Sequence, residues 1–459
     1  MRPAPFAAAL LVLLPAVLAP PAVRAEPRPL TLIEALRLAD EASEAIRIRA
    51  LQAGSYDATL AEARSRQYPR LALEVSASYL ANPPEGITVH QGELATSPVV
   101  IPATDLVFVP DAEHTYYKLG ATLTQPLFTS GKISAGIRLA ELDRAAAGTA
   151  LDRQRREIRR ETARAYHGAV LAARSLPHLS AMRAASADIV ADRTAAFTEG
   201  TATRQAMLEA QASLAAIEAR MLAAREARAS ALEALAALTG LAAADIRPVD
   251  AFRDACPDLD EERIRTQAAG AAPELAAART LLQQAGAKRD LERAGAALRP
   301  DLALSVSAGV AGQRTPFVGS DWADSWDWSV VVSVGAKATV IDSGSSRARI
   351  SAASADREAA AAALAQAEKL VRLSVRKAVE TARGAGAALA ERRAKLALAG
   401  ETAKNARVSF ENDVATREQA RLAEIARLAA ALDLESAGAA LEDALGEIEY
   451  LTGVPVGAP

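Results

Sequence analysis

The chain has 459 residues, 51% of them hydrophobic and 24% charged, with a formal net charge of −3. That balance excludes a basic nucleic-acid binder, and the length alone suggests two or three domains. Aromatic residues make up only 4%, thin for a conventional large core, whereas abundant alanine favours close helix packing.

Arg2, an apolar run over residues 6–18 and small residues ending at Ala25 predict a secretory signal peptide over residues 1–25. An uncleaved anchor is the competing reading. Beyond residue 25 there is no run of about 18 apolar residues, the length a membrane-spanning helix needs. Cys256 is the single cysteine, so no intramolecular disulfide is available.

A helix, or two short ones, is predicted over residues 30–67. Thr31 is the expected N-cap, and Glu34 three residues on completes a capping-box pattern. Pro69 ends it, because the residue before a proline is pushed away from helical geometry. Residues 70–80 then alternate: Leu71, Leu73, Val75, Ala77 and Tyr79 against Arg70, Ala72, Glu74, Ser76 and Ser78. Period two marks a strand with one apolar face. A proline-containing loop over 81–116 leads to a second strand, 115–126, with Leu119 and Leu123 on its apolar face. The two strands are expected to pair as a hairpin. After Ser130-Gly131, residues 132–197 read as one helix of about 100 Å, at about 1.5 Å per residue, with a kink expected at Pro177. A turn at Gly200 reverses the chain into a return helix, 201–238.

The same order then recurs. A connector, 242–265, and helical residues with Pro273 as a start signal lead to Pro300. Residues 69–77 and 300–308 agree at seven of nine positions. Strands are predicted over 301–310 and 326–338, with Leu302, Leu304, Val306, Val330, Val332 and Val334 on the apolar face. A long helix over 345–410 and a return helix over 414–451 follow. Ser343-Gly344, Thr416-Arg417 and Leu451-Thr452-Gly453 each lie 213 positions after Ser130-Gly131, Thr203-Arg204 and Leu238-Thr239-Gly240. A constant offset at such landmarks marks an internal duplication: repeats 26–241 and 266–454, then a tail, 455–459.

The fold class expected is therefore mainly α with a small β part, internally duplicated, with long helical hairpins and four strands. Strands of this length match a tilted bilayer crossing, and Tyr79, Tyr117, Trp326 and Trp328 would form an aromatic girdle. Four strands cannot close a barrel, for which about eight is the smallest transmembrane number. An open edge cannot sit in lipid, because its backbone groups find no partner there. A membrane sheet here requires more than one chain, its Leu and Val face toward lipid and its serine-rich face toward water.

Taken together, the signal peptide, the helix-to-strand breaks at Pro69 and Pro300, Gln125-Pro126-Leu127-Phe128 before Ser130-Gly131, the Gly200 turn and the closing Leu451-Thr452-Gly453 resemble an outer-membrane factor of the TolC family, over roughly residues 30–454. The resemblance implies a homotrimer in the cell outer membrane with a twelve-stranded β-barrel and a periplasmic α-helical barrel. It implies a passive conduit for small-molecule efflux, joined to a periplasmic adaptor (membrane fusion) protein and an inner-membrane exporter of RND or ABC type. No enzyme activity, cofactor, metal or nucleic-acid partner is implied. His90, His114, His167 and His178 show no ligand spacing, and no phosphate loop or nucleophile motif is present.

By the same resemblance, the turns would form the periplasmic tip, which meets the adaptor and holds the closed aperture. Its residues are Thr198, Glu199, Gly200, Thr203 and Arg204 in one turn, and Asn412, Asp413, Thr416 and Arg417 in the other. Asp413 departs from the family's turn glycine. Glu199, Glu209, Glu411, Asp413, Glu418 and Glu424 are candidates for acidic rings in the lumen, against the plainer reading of solvated surface charge. Arg204 and Arg417, equivalent in the two repeats, are candidates to pair with such carboxylates. Two rival functions remain open: the outer-membrane component of a type I protein secretion system, and a soluble periplasmic coiled-coil scaffold.

Overall fold

The computed structural model describes residues 28–90, 104–109, 113–296, 298–316, 318 and 322–456. The signal-peptide reading falls outside them. In chain order the elements are β1 (Arg28–Leu30), α1 (Leu32–Ala42), α2 (Glu44–Ser65), β2 (Arg70–Tyr79), β3 (Ile87–Val89), β4 (Leu106–Val109), β5 (Thr115–Phe128), α3 (Lys132–Thr198), α4 (Arg204–Thr239), β6 (Ile246–Pro248), α5 (Glu261–Ala271), α6 (Pro273–Ala294), β7 (Asp301–Gly312), β8 (Trp326–Lys337), α7 (Ser345–Glu411) and α8 (Arg417–Thr452). The chain divides into two compact units.

The first unit takes in residues through Ser43, 158–258 and 380–447. Its core brings Leu30, Ala35, Tyr166, Val170, Leu235 and Ile246 together. Tyr166 is nearly inaccessible and its hydroxyl is a junction. Its one proton is shared between Leu30 O (2.8 Å) and Asp250 Oδ2 (2.9 Å), and its oxygen accepts from the backbone N–H of Val249 and Asp250. Asp250 Oδ2 also takes the N–H of Leu32 (2.7 Å), a donor at the start of α1. At Thr31 the cap forms, with Glu34 N–H donating to Oγ1 (3.3 Å), while the Glu34 carboxylate pairs with Arg28.

Two glycines seat the connector on the helices of this unit. A Cβ at Gly386 would lie 2.4 Å from Cys256 Cβ, and one at Gly438 would lie 2.8 Å from Phe252 Cβ. Helix α3 continues through Pro177 without a break in helical assignment. Just beyond the proline, Leu179 and Met182 pack with Ile217 of α4 and Leu428 of α8; burial of these side chains offsets one missing N–H bond.

The second unit takes in residues 44–157, 259–379 and 448 onward. Its four-stranded sheet has the order β2-β5-β7-β8, antiparallel throughout. Both predicted hairpins are present, and β5–β7 pairing joins them. Register continues side-chain rows across all four strands: Leu71, Leu123, Val306 and Val332 in one, and Val75, Leu119, Val310 and Trp328 in another. Directly opposed residues point to the same face, so one face is largely apolar, with Gln125 opposite Leu304 and Thr115 opposite Tyr79 as polar exceptions. The other carries rows such as Arg70, Thr124, Ser305 and Ser333. Strands β2 and β8 are the edges.

Two features differ from the sequence reading. The first loop contains a short β3–β4 hairpin, and the connector contains β6, which pairs in parallel with β1. Both are three- or four-residue strands, too short for alternation to reveal. The first helical stretch takes the second of its two expected forms, two helices, α1 and α2, divided at Ser43. Among the described residues no helix is long and apolar enough to cross a membrane.

Candidate functional site

In the first unit, α3 ends at Thr198 and α4 begins at Arg204. The intervening turn satisfies helix-end carbonyls from its own N–H groups. Gly200 N–H donates to Phe197 O (3.0 Å) and Thr201 N–H to Ala196 O (2.8 Å). Thr203 caps α4 by accepting from Ala206 N–H (3.2 Å). The α7–α8 turn repeats these bonds: Asp413 N–H to Phe410 O (3.0 Å), and Val414 N–H to Ser409 O (2.8 Å). Asp413 therefore makes the same turn as Gly200. Its φ is 60°, a region aspartate enters more readily than most side chains. Here the cap is also reciprocal, with Gln419 N–H donating to Thr416 Oγ1 (3.2 Å) and Thr416 N–H donating to Gln419 Oε1 (2.9 Å).

Near these two turns several carboxylates are engaged by groups of the same chain. Glu418 is gripped by Arg193 (2.8 Å) and Glu424 by Arg427 (2.6 Å). The Arg427 hydrogen bond, with a smaller contribution from Arg407, holds the Glu424 carboxyl below the usual carboxylate range. Glu209 accepts from Gln205 (2.9 Å), and Glu199 and Glu411 are exposed. The expected pairing of Arg204 and Arg417 with carboxylates is not formed within the chain among the described residues. Arg204 is exposed, and Arg417 lies over the Phe410 ring, 5.9 Å from its centroid. A guanidinium over an aromatic face is a favourable alternative to a carboxylate partner.

Between α7 and α8, beside Ala185 of α3, lies a cleft of about 760 Å³ lined by Lys404, Arg407, Arg417, Arg421 and Arg427, with Glu424 its one carboxylate. Arg421 also reaches α3, meeting Asp192 (2.6 Å) and Asp188 (3.1 Å). The cleft is thus basic, and its walls are tied to α3 by ion pairs. Sequence reading missed Arg193, Arg407, Arg421 and Arg427. The usable signal was the spacing of Lys404 and Arg407, and of Arg417 and Arg421, which puts each pair on one helix face.

In the second unit, Leu71, Leu73, Val75, Leu119, Leu123, Val330, Val332 and Val334 are exposed, while Leu302, Leu304 and Val306 on the inner strand β7 are partly covered. Register puts all of them on the apolar face. Tyr79, Tyr117, Trp326 and Trp328 share that face at one end of the sheet. Tyr117 and Trp326 stack with centroids 6.3 Å apart. Gly312 opposes both in register, and a Cβ there would come within 2.5 Å of Trp326 Cγ. Glycine is what lets the indole lie across the strand.

No group of His, Cys, Asp and Glu suited to hold a metal ion occurs among the described residues.

Residues 35–241 match the family model described as outer membrane efflux protein. No curated protein sequence matches the chain. Solved structures match over nearly its whole length. The outer membrane protein VceC from Vibrio cholerae is 17% identical, with 92% of this chain and 96% of that one covered and a TM-score of 0.70. The CmeC outer membrane channel of Campylobacter jejuni is 14% identical, covering 92% and 85%, with a TM-score of 0.73. The open state of the Neisseria gonorrhoeae MtrE outer membrane channel is 17% identical, covering 93% and 89%, with a TM-score of 0.68. At such identities the likeness establishes the fold, which is that of the TolC-like outer-membrane channels.

Proposed function

We propose that this chain, which matches the outer membrane efflux protein model over residues 35–241, is one subunit of a trimeric outer-membrane channel that serves as the passive exit of a tripartite efflux system. Channels, not enzymes, make up that family and the matched folds. One observation carries the reading. The sheet has an apolar face in register across all four strands, yet β2 and β8 each have a partner on one side only. Such a sheet is stable in lipid only when its edges are closed. Three copies supply twelve strands, with β8 of one chain pairing to β2 of the next.

The helical turns then form the periplasmic tip. A periplasmic adaptor contacts residues 198–204 and 412–417 there, and the basic cleft favours carboxylates on its contacting face. The adaptor links the channel to an inner-membrane exporter of RND or ABC type. The exported cargo is a small molecule in this reading. Protein export through a type I system uses the same fold and is separated from it by the exporter that co-purifies.

The test is reconstitution of the full chain in planar bilayers, with cross-linking of cysteines placed on β2 and β8. Stepwise conductance and a cross-linked trimer are expected. Recovery as a monomer in the aqueous fraction without detergent would overturn the channel in favour of a soluble scaffold.

A further inference from the structure

At the helix-side end of the sheet, in the second unit, the chain builds a second basic cavity. It holds about 410 Å³ and is lined by Arg138, Arg293 and Arg299, with Ser130, Ser134 and Asp290. Asp290 is engaged by Arg289 (2.9 Å). Arg138 has only a distant carboxylate, Glu141 at 3.7 Å, and Glu141 lies closer to Arg64 (3.1 Å). Arg293 and Arg299 are exposed, and their guanidinium groups have no hydrogen-bond or ion-pair partner among the described residues. The cavity is therefore a cluster of guanidinium groups short of anions, with two hydroxyl groups beside it.

Its position gives the anion a source. Arg299 immediately precedes Pro300 and β7. Ser130 Oγ donates to Pro300 O (2.9 Å), which ties the start of α3 to the start of that strand. Next to Arg299, Leu298 has a φ of 65° and is 70% exposed. A bulky side chain at positive φ is a genuine backbone outlier. Leu298 N–H donates to Thr339 O (2.9 Å), which places Leu298 beside the segment carrying Val340 and Ile341, 67% and 84% exposed. Phe128, opposite Leu302 in register, is exposed too. Exposed apolar side chains thus continue beyond the end of the sheet, and Leu298 adjoins Arg299 of the cavity in the chain. Apolar groups beside guanidinium groups match acyl chain beside phosphate.

We infer that this cavity seats the headgroup phosphate of an anionic phospholipid in the periplasm-facing leaflet, with Arg293 and Arg299 as the principal phosphate ligands and Leu298, Val340 and Ile341 against its acyl chains. The inference rests on reading the sheet as membrane-spanning. Its consequence is an anchor at the inner rim of the barrel that is selective for lipid charge.

The test uses the full chain, delipidated in mild detergent and titrated with short-chain phosphatidylglycerol, short-chain phosphatidylcholine or inorganic phosphate, with bound ligand read by native mass spectrometry. Arg293→Gln/Arg299→Gln is compared with Arg220→Gln/Arg228→Gln, two exposed arginines on α4. Phosphatidylglycerol should bind the unmodified and control proteins and weaken about fivefold per arginine removed at the site. Where the double variant does not fold, Arg299→Gln alone carries the single-step expectation. Undiminished phosphatidylglycerol binding by the site variant overturns the proposal. Equal binding of phosphatidylcholine shows that the apolar rim alone acts, and displacement by equimolar inorganic phosphate shows a free-anion site; either result overturns the lipid assignment. Loss of charge selectivity with detergent dependence intact removes this site only. Recovery of the unmodified chain in the aqueous phase removes the membrane reading, and this site with it.

Discussion

Gly200 and Asp413 reverse the two long hairpins through the same left-handed backbone, with φ of 73° and 60°. They are 213 positions apart, as are the starts of α3 and α7, each 67 residues long, and of α4 and α8, each 36. One turn relies on glycine, the other on an aspartate that carries the strain of a side chain at positive φ.

Substitution at these turns separates backbone strain from contact. A Cβ at Gly200 would meet nothing within 4 Å, so Gly200→Ala should cost about 1–2 kcal/mol through conformation alone. Asp413→Gly should be neutral or stabilising by up to about 1 kcal/mol. Denaturant unfolding followed by helical circular dichroism measures both. A stabilising Gly200→Ala would contradict the turn geometry.

The sheet predicts unequal tolerance at adjacent positions of β7. Val306 lies in the apolar row with Leu123 and Val332, whereas Ser307 lies opposite Thr122 and Val331 on the other face. Val306→Arg should lower membrane assembly, with a penalty of about 2–4 kcal/mol near mid-bilayer. Ser307→Arg should assemble. The yield of heat-modifiable, membrane-inserted protein reads the difference, and equal yields would mean the faces are misassigned.

Ionisation at the Tyr166 junction sets an alkaline limit. Burial, the largest cause, pushes its hydroxyl from 10.0 up to about 12. Tyr450, buried beside Glu274, is likewise raised to about 12. In the unfolded chain both ionise near 10, so between pH 10 and 12 the unfolded state holds fewer protons than the folded one. Stability is then fully present below pH 10 and falls as pH rises toward 12. Tyr166→Phe should flatten part of that fall, while at pH 8 it should cost about 1–2 kcal/mol through lost hydrogen bonds. Denaturation midpoints across this pH series are the measurement; an unchanged slope would exclude Tyr166 as its source.

Near the helical turns, Arg193 with Glu418, and Arg421 with Asp188 and Asp192, join α3 to α8. These groups are partly exposed, so each pair should contribute no more than about 1 kcal/mol. A double-mutant cycle on Arg193→Ala and Glu418→Ala should return a coupling of about 0.5–1 kcal/mol that shrinks at high salt. Zero coupling at low salt would show that the pair has no part in holding the helices together.

The sequence by itself determined the helices, their reversals and the two faces of the sheet. Each is written within a few residues: a period of two in residues 70–80, a proline before each strand, a positive-φ residue between two long helical runs. Such signals are local, because they concern which conformations neighbouring backbone groups can adopt and which side of an element is apolar. The tertiary structure alone decided who pairs with whom. Alternation assigns Leu123 to a face but not to Val306 as its neighbour, and nothing near Tyr166 in the chain points to Asp250. The basic clefts belong to that second class too. Arg293 and Arg299 read as ordinary surface charges until α6, α3 and β7 converge, because a charge acquires its partners, or its lack of them, only from segments that are distant in the chain.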